Sequence, residues 1–139
     1  MNYLIHQLLN TEEINLIKKE LEKYPQDWED GKKTAGSHAS MVKNNLQLNR
    51  NSEASKKYSQ IVNKKILTNQ LIKSFSLPKR IHGIMFTKSS KNMHYGRHID
   101  NPYMSSGRSD LSFTLSLTNK DFYKGCLLYT SDAADDLLC

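Results

Sequence analysis

Two stretches of the chain place apolar residues three or four positions apart, the spacing of one face of an α-helix. The first begins at Asn10 or Thr11 as N-cap, carries acidic residues in its first turn and ends before Pro25. The second covers roughly residues 52–73, and Pro78 prevents its continuation. We therefore predict two amphipathic helices whose inner faces are Ile14, Ile17, Leu21 and Tyr24 in the first, and Ala54, Tyr58, Ile61, Val62 and Ile66 in the second.

Several other stretches alternate apolar and polar residues, which is typical of β-strands. The alternation is unbroken over residues 111–118, so its four apolar side chains would share one face of a sheet. We also predict strands over residues 3–9, 81–87 and 93–100, and a half-buried strand that includes Val42, Leu46 and Leu48. Helices followed by antiparallel strands indicate an α+β fold built on a sandwich or barrel.

Length and charge narrow the class of protein only slightly. The 139 residues suffice for one domain, and 20 Lys and Arg against 14 Asp and Glu give a net charge of +6. Such a surface would attract nucleic acid or another anionic partner, so a non-catalytic basic binding module is one possible function. The apolar runs are shorter than a membrane span requires, and the first ten residues lack the features of a secretion signal, so we expect a cytoplasmic protein.

The segment around His98 and Asp100 is the candidate for chemistry. Residues two apart in a strand point to the same side, so these two side chains could bind one ion and supply two ligands of the 2-His-1-carboxylate triad of non-haem Fe(II) oxygenases. A His-x-Asp tripeptide alone is a weak signal, because a histidine at a strand end is often only hydrogen-bonded or solvated. His94 shares the face of His98 but would lie roughly 13 Å away. His82 is more simply a hydrogen-bonded histidine, and His6 and His38 are most simply surface residues.

A wider set of residues resembles the PKHD-type hydroxylases, which are Fe(II)/2-oxoglutarate-dependent dioxygenases similar to prolyl 4-hydroxylases. The N-terminal block that carries the resemblance consists of Trp28, Asp30-Gly31, Thr34-Ala35-Gly36, Ala39, Val42-Lys43-Asn44-Asn45 and Gln47. The later blocks consist of Leu77-Pro78-Lys79-Arg80-Ile81, Tyr95-Gly96, His98, Asp100-Asn101, Arg108, Asp110-Leu111-Ser112, Thr114-Leu115, Asp121, Tyr123 and Gly125. A nucleic-acid demethylase of the same superfamily is the nearest rival, and the N-terminal block disfavours it.

This resemblance implies a double-stranded β-helix, or jelly roll, flanked by N-terminal helices. It implies that His98 and Asp100 hold Fe(II), and that the enzyme hydroxylates an unknown substrate with 2-oxoglutarate, O₂ and L-ascorbate. Tyr95 would contact the 2-oxoglutarate, or it is a core aromatic residue. Residues 1–125 would be the N-terminal part of the dioxygenase domain, with a largely helical part at 1–77 and the β core at 78–125.

The C-terminal end departs from the family pattern. The family places its third iron ligand, a His, and the Arg that binds 2-oxoglutarate downstream of the position of Gly125, where this chain has no Lys or Arg. Both cysteines, Cys126 and Cys139, also lie there, so the body of the chain lacks thiol chemistry. We therefore expect residues 126–139 to be a non-native tail, the jelly roll to lack its C-terminal strands, and this chain to be inactive.

Two smaller assignments stay open at the level of sequence. Lys43, Asn44 and Asn45 would line a substrate mouth, or they satisfy backbone groups of a loop. Arg108 would pair with Asp110, or it would bind an anionic substrate.

Overall fold

The computed structural model describes residues 4–100, 102–104, 107–119 and 122. It combines helices with short antiparallel strands, which confirms the α+β class. The helices are α1 (Thr11–Leu21), α2 (Ser37–Met41), α3 (Glu53–Thr68) and α4 (Gln70–Ser76). The strands are β1 (Trp28–Asp30), β2 (Lys43–Asn44), β3 (Leu46–Leu48), β4 (Thr87–Lys88), β5 (His94–Tyr95), β6 (Tyr103–Met104) and β7 (Gly107–Arg108).

Helix α1 begins and ends as its local sequence predicts. Asn10 is its N-cap: the Asn10 side chain accepts from the main-chain N–H of Glu13, and the Glu13 side chain accepts from the N–H of Asn10. This reciprocal capping box satisfies two N–H groups that have no partner inside the helix. The inner face buries Ile17 and Leu21.

The predicted second helix is two helices, because the chain breaks at Asn69. Asn69 has extended backbone angles, and its side chain accepts from the N–H of Ile72, so it caps α4. Leu77 then adopts a left-handed conformation just before Pro78 and ends α4. The residue type of Asn69 suits the N-cap, because an Asn side chain can accept a hydrogen bond from a nearby backbone N–H group. Ile61 was wrongly predicted to lie on the inner face, since it is 40% exposed.

The core lies between α1, α3 and the first strands. Its buried residues are Leu9, Ile17, Leu21, Leu48, Ala54, Tyr58 and Phe86, and Trp28, Ile84, Leu115 and Leu117 are among the residues that pack against it. The apolar periodicity of the two predicted helices therefore identifies much of this core.

The strands form three small antiparallel sheets among the described residues. The first has the order β1-β3-β4, with Trp28 opposite Leu48 and Gln47 opposite Thr87. The second pairs β2 with β5, and the third pairs β6 with β7. The second sheet matters for the site, because β5 leads directly to His98.

Several predicted strands are shorter than expected or absent. Residues 4–9 and 111–118 have no strand pairing in the described part of the chain. Within 81–87 and 93–100, pairing is limited to β4, which extends to residue 88, and to β5. Alternation determines which side chains share a face, whereas a strand also needs a neighbour to accept its backbone hydrogen bonds. Of the four apolar residues predicted to share one face, Leu115 and Leu117 pack on the core, while Leu111 and Phe113 are exposed.

The strand predicted around Val42 to Leu48 is two short strands, β2 and β3, in different sheets, and it buries polar residues while Val42 and Leu46 are only partly buried. Lys43, Asn45 and Gln47 are all buried, so the face opposite Val42, Leu46 and Leu48 is not the exposed side of a half-buried strand. Gly31 lies against this row: its N–H donates to the carbonyl oxygen of Asn45 at 2.9 Å, and a Cβ at Gly31 would lie 2.0 Å from Asn45 Oδ1. A glycine is required there because the two backbones approach too closely for a side chain.

None of the helices in the described residues is long and apolar enough to cross a membrane. The tail predicted at residues 126–139 lies outside the described residues, so its boundary stays a prediction, as does the division of the body at residue 77.

Candidate metal centre

His98 and Asp100 lie side by side just after β5. The Nε2 atom of His98 is 3.2 Å from Oδ1 of Asp100. The chain bends at Arg97, so the two residues are not in a strand as predicted. The structure nevertheless brings together the two groups that the sequence singled out.

The imidazole of His98 is oriented by the backbone of its own turn. Its Nδ1 atom is 2.9 Å from the carbonyl oxygen of Gly96. Since a carbonyl oxygen only accepts, this contact is a hydrogen bond when Nδ1 carries the proton, and Nε2 of the neutral ring then keeps its lone pair. A lone pair and a carboxylate oxygen that face each other are complementary to a cation.

Asp100 is held from its other side by Ser112. The Ser112 hydroxyl donates to Oδ2 of Asp100 at 3.0 Å, which leaves Oδ1 directed towards His98. The His98 side chain is 25% exposed and that of Asp100 is 64% exposed, so the pair is accessible from solvent. A neutral imidazole and a carboxylate are ligands that Fe(II) accepts, and the two residues therefore fit part of an iron site.

Tyr95 covers the imidazole of His98. The two rings are stacked, with centroids 3.9 Å apart and planes 12° from parallel. Burial raises the pKa of the Tyr95 hydroxyl, and the negative charge of Asp100 raises this pKa further. The phenol therefore stays protonated well above neutral pH. The stacking gives Tyr95 a role in supporting His98, and its predicted contact with 2-oxoglutarate stays a prediction.

Strand β2 supports this segment through its backbone. Lys43 is the cross-strand partner of Tyr95, and Asn44 is the partner of His94. One residue further, the N–H of Gly96 donates to the carbonyl oxygen of Val42. Gly96 thus donates through its nitrogen to Val42, the residue before β2, and accepts from His98 through its oxygen.

Lys43 joins the site from β2, although its residue is only 3% exposed. Its Nζ lies 4.8 Å from the centroid of the Tyr95 ring and donates to the Thr34 hydroxyl at 3.4 Å. Burial lowers the pKa of this ammonium group, the charge of Arg50 lowers it as well, and the charge of Asp30 acts in the opposite direction. Among the ion pairs formed by described residues, none includes Lys43.

The other candidates of the sequence analysis lie outside the pair. His82 Nε2 is 3.1 Å from the carbonyl oxygen of Arg108, as expected for a hydrogen-bonded histidine. Arg108 pairs with Asp110, which favours the first of the two roles considered for it. Asn44 donates to the backbone of Asn92 and so satisfies a loop. In the part of the chain that the structure describes, no cluster of three or more His, Cys, Asp or Glu is placed to hold a metal ion.

Sequence reasoning named Ser112 and Lys43 but missed their roles in this site. Ser112 is twelve residues from Asp100, and nothing in its alternating segment marks it as a partner of that carboxylate. Lys43 was considered only for a substrate mouth or a loop. The alternation places Lys43 on the face opposite Val42, Leu46 and Leu48, so nothing in this segment marks Lys43 as buried.

The convergence of a histidine and a carboxylate just after β5 makes this α+β chain a candidate metal-binding protein. Comparison with known proteins gives a more specific class. The chain is 87% identical over 126 residues to a PKHD-type hydroxylase of Prochlorococcus marinus strain MIT 9301. It is 71% and 69% identical over 125 residues to those of strains MIT 9515 and AS9601.

The relatives that the chain matches are PKHD-type hydroxylases, which confirms the resemblance predicted from its motifs. Each match covers 90% of this chain and 57% of the relative, so the chain spans a little over half the length of the curated relatives it matches. No family model and no solved structure matches the chain.

Proposed function

We propose that this chain is part of an Fe(II)- and 2-oxoglutarate-dependent dioxygenase that hydroxylates a substrate, with His98 and Asp100 as two of its iron ligands. The observation that carries the proposal is the 3.2 Å approach of His98 Nε2 to Asp100 Oδ1, with Nδ1 of the same ring directed at the carbonyl oxygen of Gly96. The hydroxylase names of the relatives support the reaction class.

The residues of the chain have separate tasks in this proposal. His98 and Asp100 hold the metal, Ser112 orients the carboxylate, and Tyr95 covers the imidazole. Bound iron would supply O₂ activation, with 2-oxoglutarate as co-substrate and L-ascorbate to maintain the reduced metal. The Tyr95 hydroxyl, protonated at neutral pH, is available to donate a hydrogen bond to the 2-oxoglutarate.

The remaining parts of the site lie outside the described residues in this proposal. A facial triad needs a third ligand, and the described residues provide two. We propose that a further His and a 2-oxoglutarate-binding Arg belong to the longer protein. The small antiparallel sheets are compatible with the edge of a jelly roll that such a protein would complete.

Metal titration tests the ligands directly. Mn²⁺, a redox-stable substitute for Fe(II), is titrated by calorimetry into the chain and into an extended version, in which residues 126–139 are replaced by the C-terminal part of the MIT 9301 relative. His98→Ala and Asp100→Ala should each weaken binding by more than the roughly tenfold cost of losing an outer-shell contact. His94→Ala is the matched control, because His94 is an exposed histidine of the neighbouring strand. Binding that is indifferent to all three changes would overturn the proposal.

An activity assay tests the reaction class. The extended chain, with Fe(II), L-ascorbate and 2-oxoglutarate, should form succinate, and His98→Ala should abolish this turnover. A basic binding module would instead show nucleic-acid binding that falls steeply with salt and is unchanged by His98→Ala. Absence of succinate together with such binding would favour the module.

A further inference from the structure

We infer that Lys43 is a positioning residue for His98, and that it acts through the ring of Tyr95. The inference rests on the proposed metal role of His98. It follows from the contact of a buried ammonium group with the aromatic ring on which the imidazole is stacked.

The location of Lys43 differs from that of an ordinary lysine. Its residue is 3% exposed, and among the described hydrogen bonds of its ammonium group the one partner is the Thr34 hydroxyl at 3.4 Å. A buried charge without a carboxylate partner is costly, so the surrounding structure has to compensate for its lost hydration. The Tyr95 ring face, 4.8 Å from Nζ, is the group that does so, because the negative face of an aromatic ring attracts a cation.

The Thr34 hydroxyl fixes the other end of this arrangement. Besides the contact with Nζ, it donates to Oε1 of Gln47, a buried residue of β3. Lys43 is therefore held between a short polar chain in the interior and the Tyr95 ring.

Two routes consequently connect β2 to His98. The backbone route runs from the Val42 carbonyl through Gly96 to Nδ1 of the imidazole. The side-chain route runs from the Lys43 ammonium through the Tyr95 ring to the imidazole plane. The first fixes the tautomer and in-plane direction of the ring, and the second fixes its tilt, so together they determine where Nε2 points.

The first test measures the position of the imidazole and needs no metal. In the 139-residue chain, the carbon-bound ring protons of His98 should show upfield NMR shifts relative to those of His94, because they lie over the Tyr95 ring. Lys43→Met, which has similar length and no charge, should reduce this displacement. Lys43→Gln, which keeps a polar end near Thr34, is the second variant and should act in the same direction.

The controls separate this effect from general changes in the fold. Tyr95→Leu removes the ring and defines complete loss of the displacement, whereas Tyr95→Phe keeps the ring and should preserve it. Lys57→Met is the matched lysine control, because Lys57 Nζ lies 5.3 Å from the centroid of the Tyr58 ring on α3. An unchanged His98 shift in both Lys43 variants would overturn the inference.

The second test measures metal affinity. Lys43→Met should weaken Mn²⁺ binding about tenfold, the low end of the effect of outer-shell changes on metal sites, and Lys57→Met should leave it unchanged. Full affinity in Lys43→Met would contradict the positioning role. If the wild-type chain and His98→Ala take up Mn²⁺ equally, the proposed metal function fails, while the NMR displacement still decides whether Lys43 positions His98.

Discussion

The main-chain N–H of Gly96 donates to the carbonyl oxygen of Val42 at 2.7 Å, and this approach leaves little room for a side chain at position 96. A Cβ at Gly96 would lie 3.0 Å from the Cβ of Val42, which is shorter than ordinary contact. Because the carbonyl oxygen of Gly96 also accepts from Nδ1 of His98, the same close approach fixes the position of the His98 imidazole.

Gly96→Ala should therefore destabilise the chain by about 1–3 kcal/mol, the usual cost of overpacking, and should weaken metal binding as β5 moves away from β2. Urea unfolding and Mn²⁺ titration check the two effects. Gly36→Ala is the control, since no atom lies within 4 Å of a Cβ built there. An equal loss of stability in both variants would show that backbone entropy or capping, rather than the contact with Val42, accounts for the effect.

Ser112→Ala should weaken metal binding about tenfold with little change in stability. The hydroxyl donates to Oδ2 of Asp100 at 3.0 Å, and outer-shell groups of this kind orient the ligating carboxylate. Calorimetric titration of the extended chain provides the measurement. Ser116→Ala is the matched control, because the Ser116 hydroxyl donates to a backbone carbonyl, that of Thr118, in the same segment. Equal affinity in the two variants would exclude the orienting role.

Lys43→Met should stabilise the chain near neutral pH, by roughly 1 kcal/mol, because it removes a buried charge without a carboxylate partner. Burial lowers the pKa of Lys43 from its ordinary value of 10.5. Between the lowered pKa and 10.5 the unfolded chain binds more protons than the folded one, so the wild type gains stability as pH rises through that window.

The advantage of Lys43→Met should therefore shrink as the pH approaches 10.5. Free energies of unfolding from urea titrations at several alkaline pH values check this trend. The exposed Lys91, replaced by Met, should change the free energy by no more than about 0.5 kcal/mol at neutral pH. An advantage that grows with pH would contradict the direction of the Lys43 shift.

Asn10→Ala should lower the free energy of unfolding by about 1 kcal/mol, because it removes the N-cap of α1 and half of the capping box. Asn15→Ala is the control within the same helix: Asn15 is exposed, and alanine has the higher helix propensity, so this change should be neutral or slightly stabilising. Thermal unfolding followed by circular dichroism distinguishes the two. A loss in Asn15→Ala as large as in Asn10→Ala would argue against the capping contribution.

Local interactions explain why parts of the fold could be predicted. The cap at Asn10 and the apolar faces of α1 and α3 depend on residues within four positions of one another, and the structure contains them. The break at Asn69 was missed because one long helix and two consecutive helices show the same apolar pattern in the sequence. Only the capping side chain of Asn69 distinguishes them. Residues 111–118 alternate as a strand would, but they have no strand pairing among the described residues, so alternation alone does not establish a strand.

The sequence by itself determined the resemblance to PKHD-type hydroxylases, the two main helical faces and the proximity of His98 to Asp100, since each depends on residues that are near one another along the chain or on motifs read directly. Only the tertiary structure decided that Lys43 is buried, that Tyr95 stacks on His98 and that Ser112 reaches Asp100. Burial and cross-strand contact arise from which distant segments pack together, and hydrophobic periodicity does not contain that information.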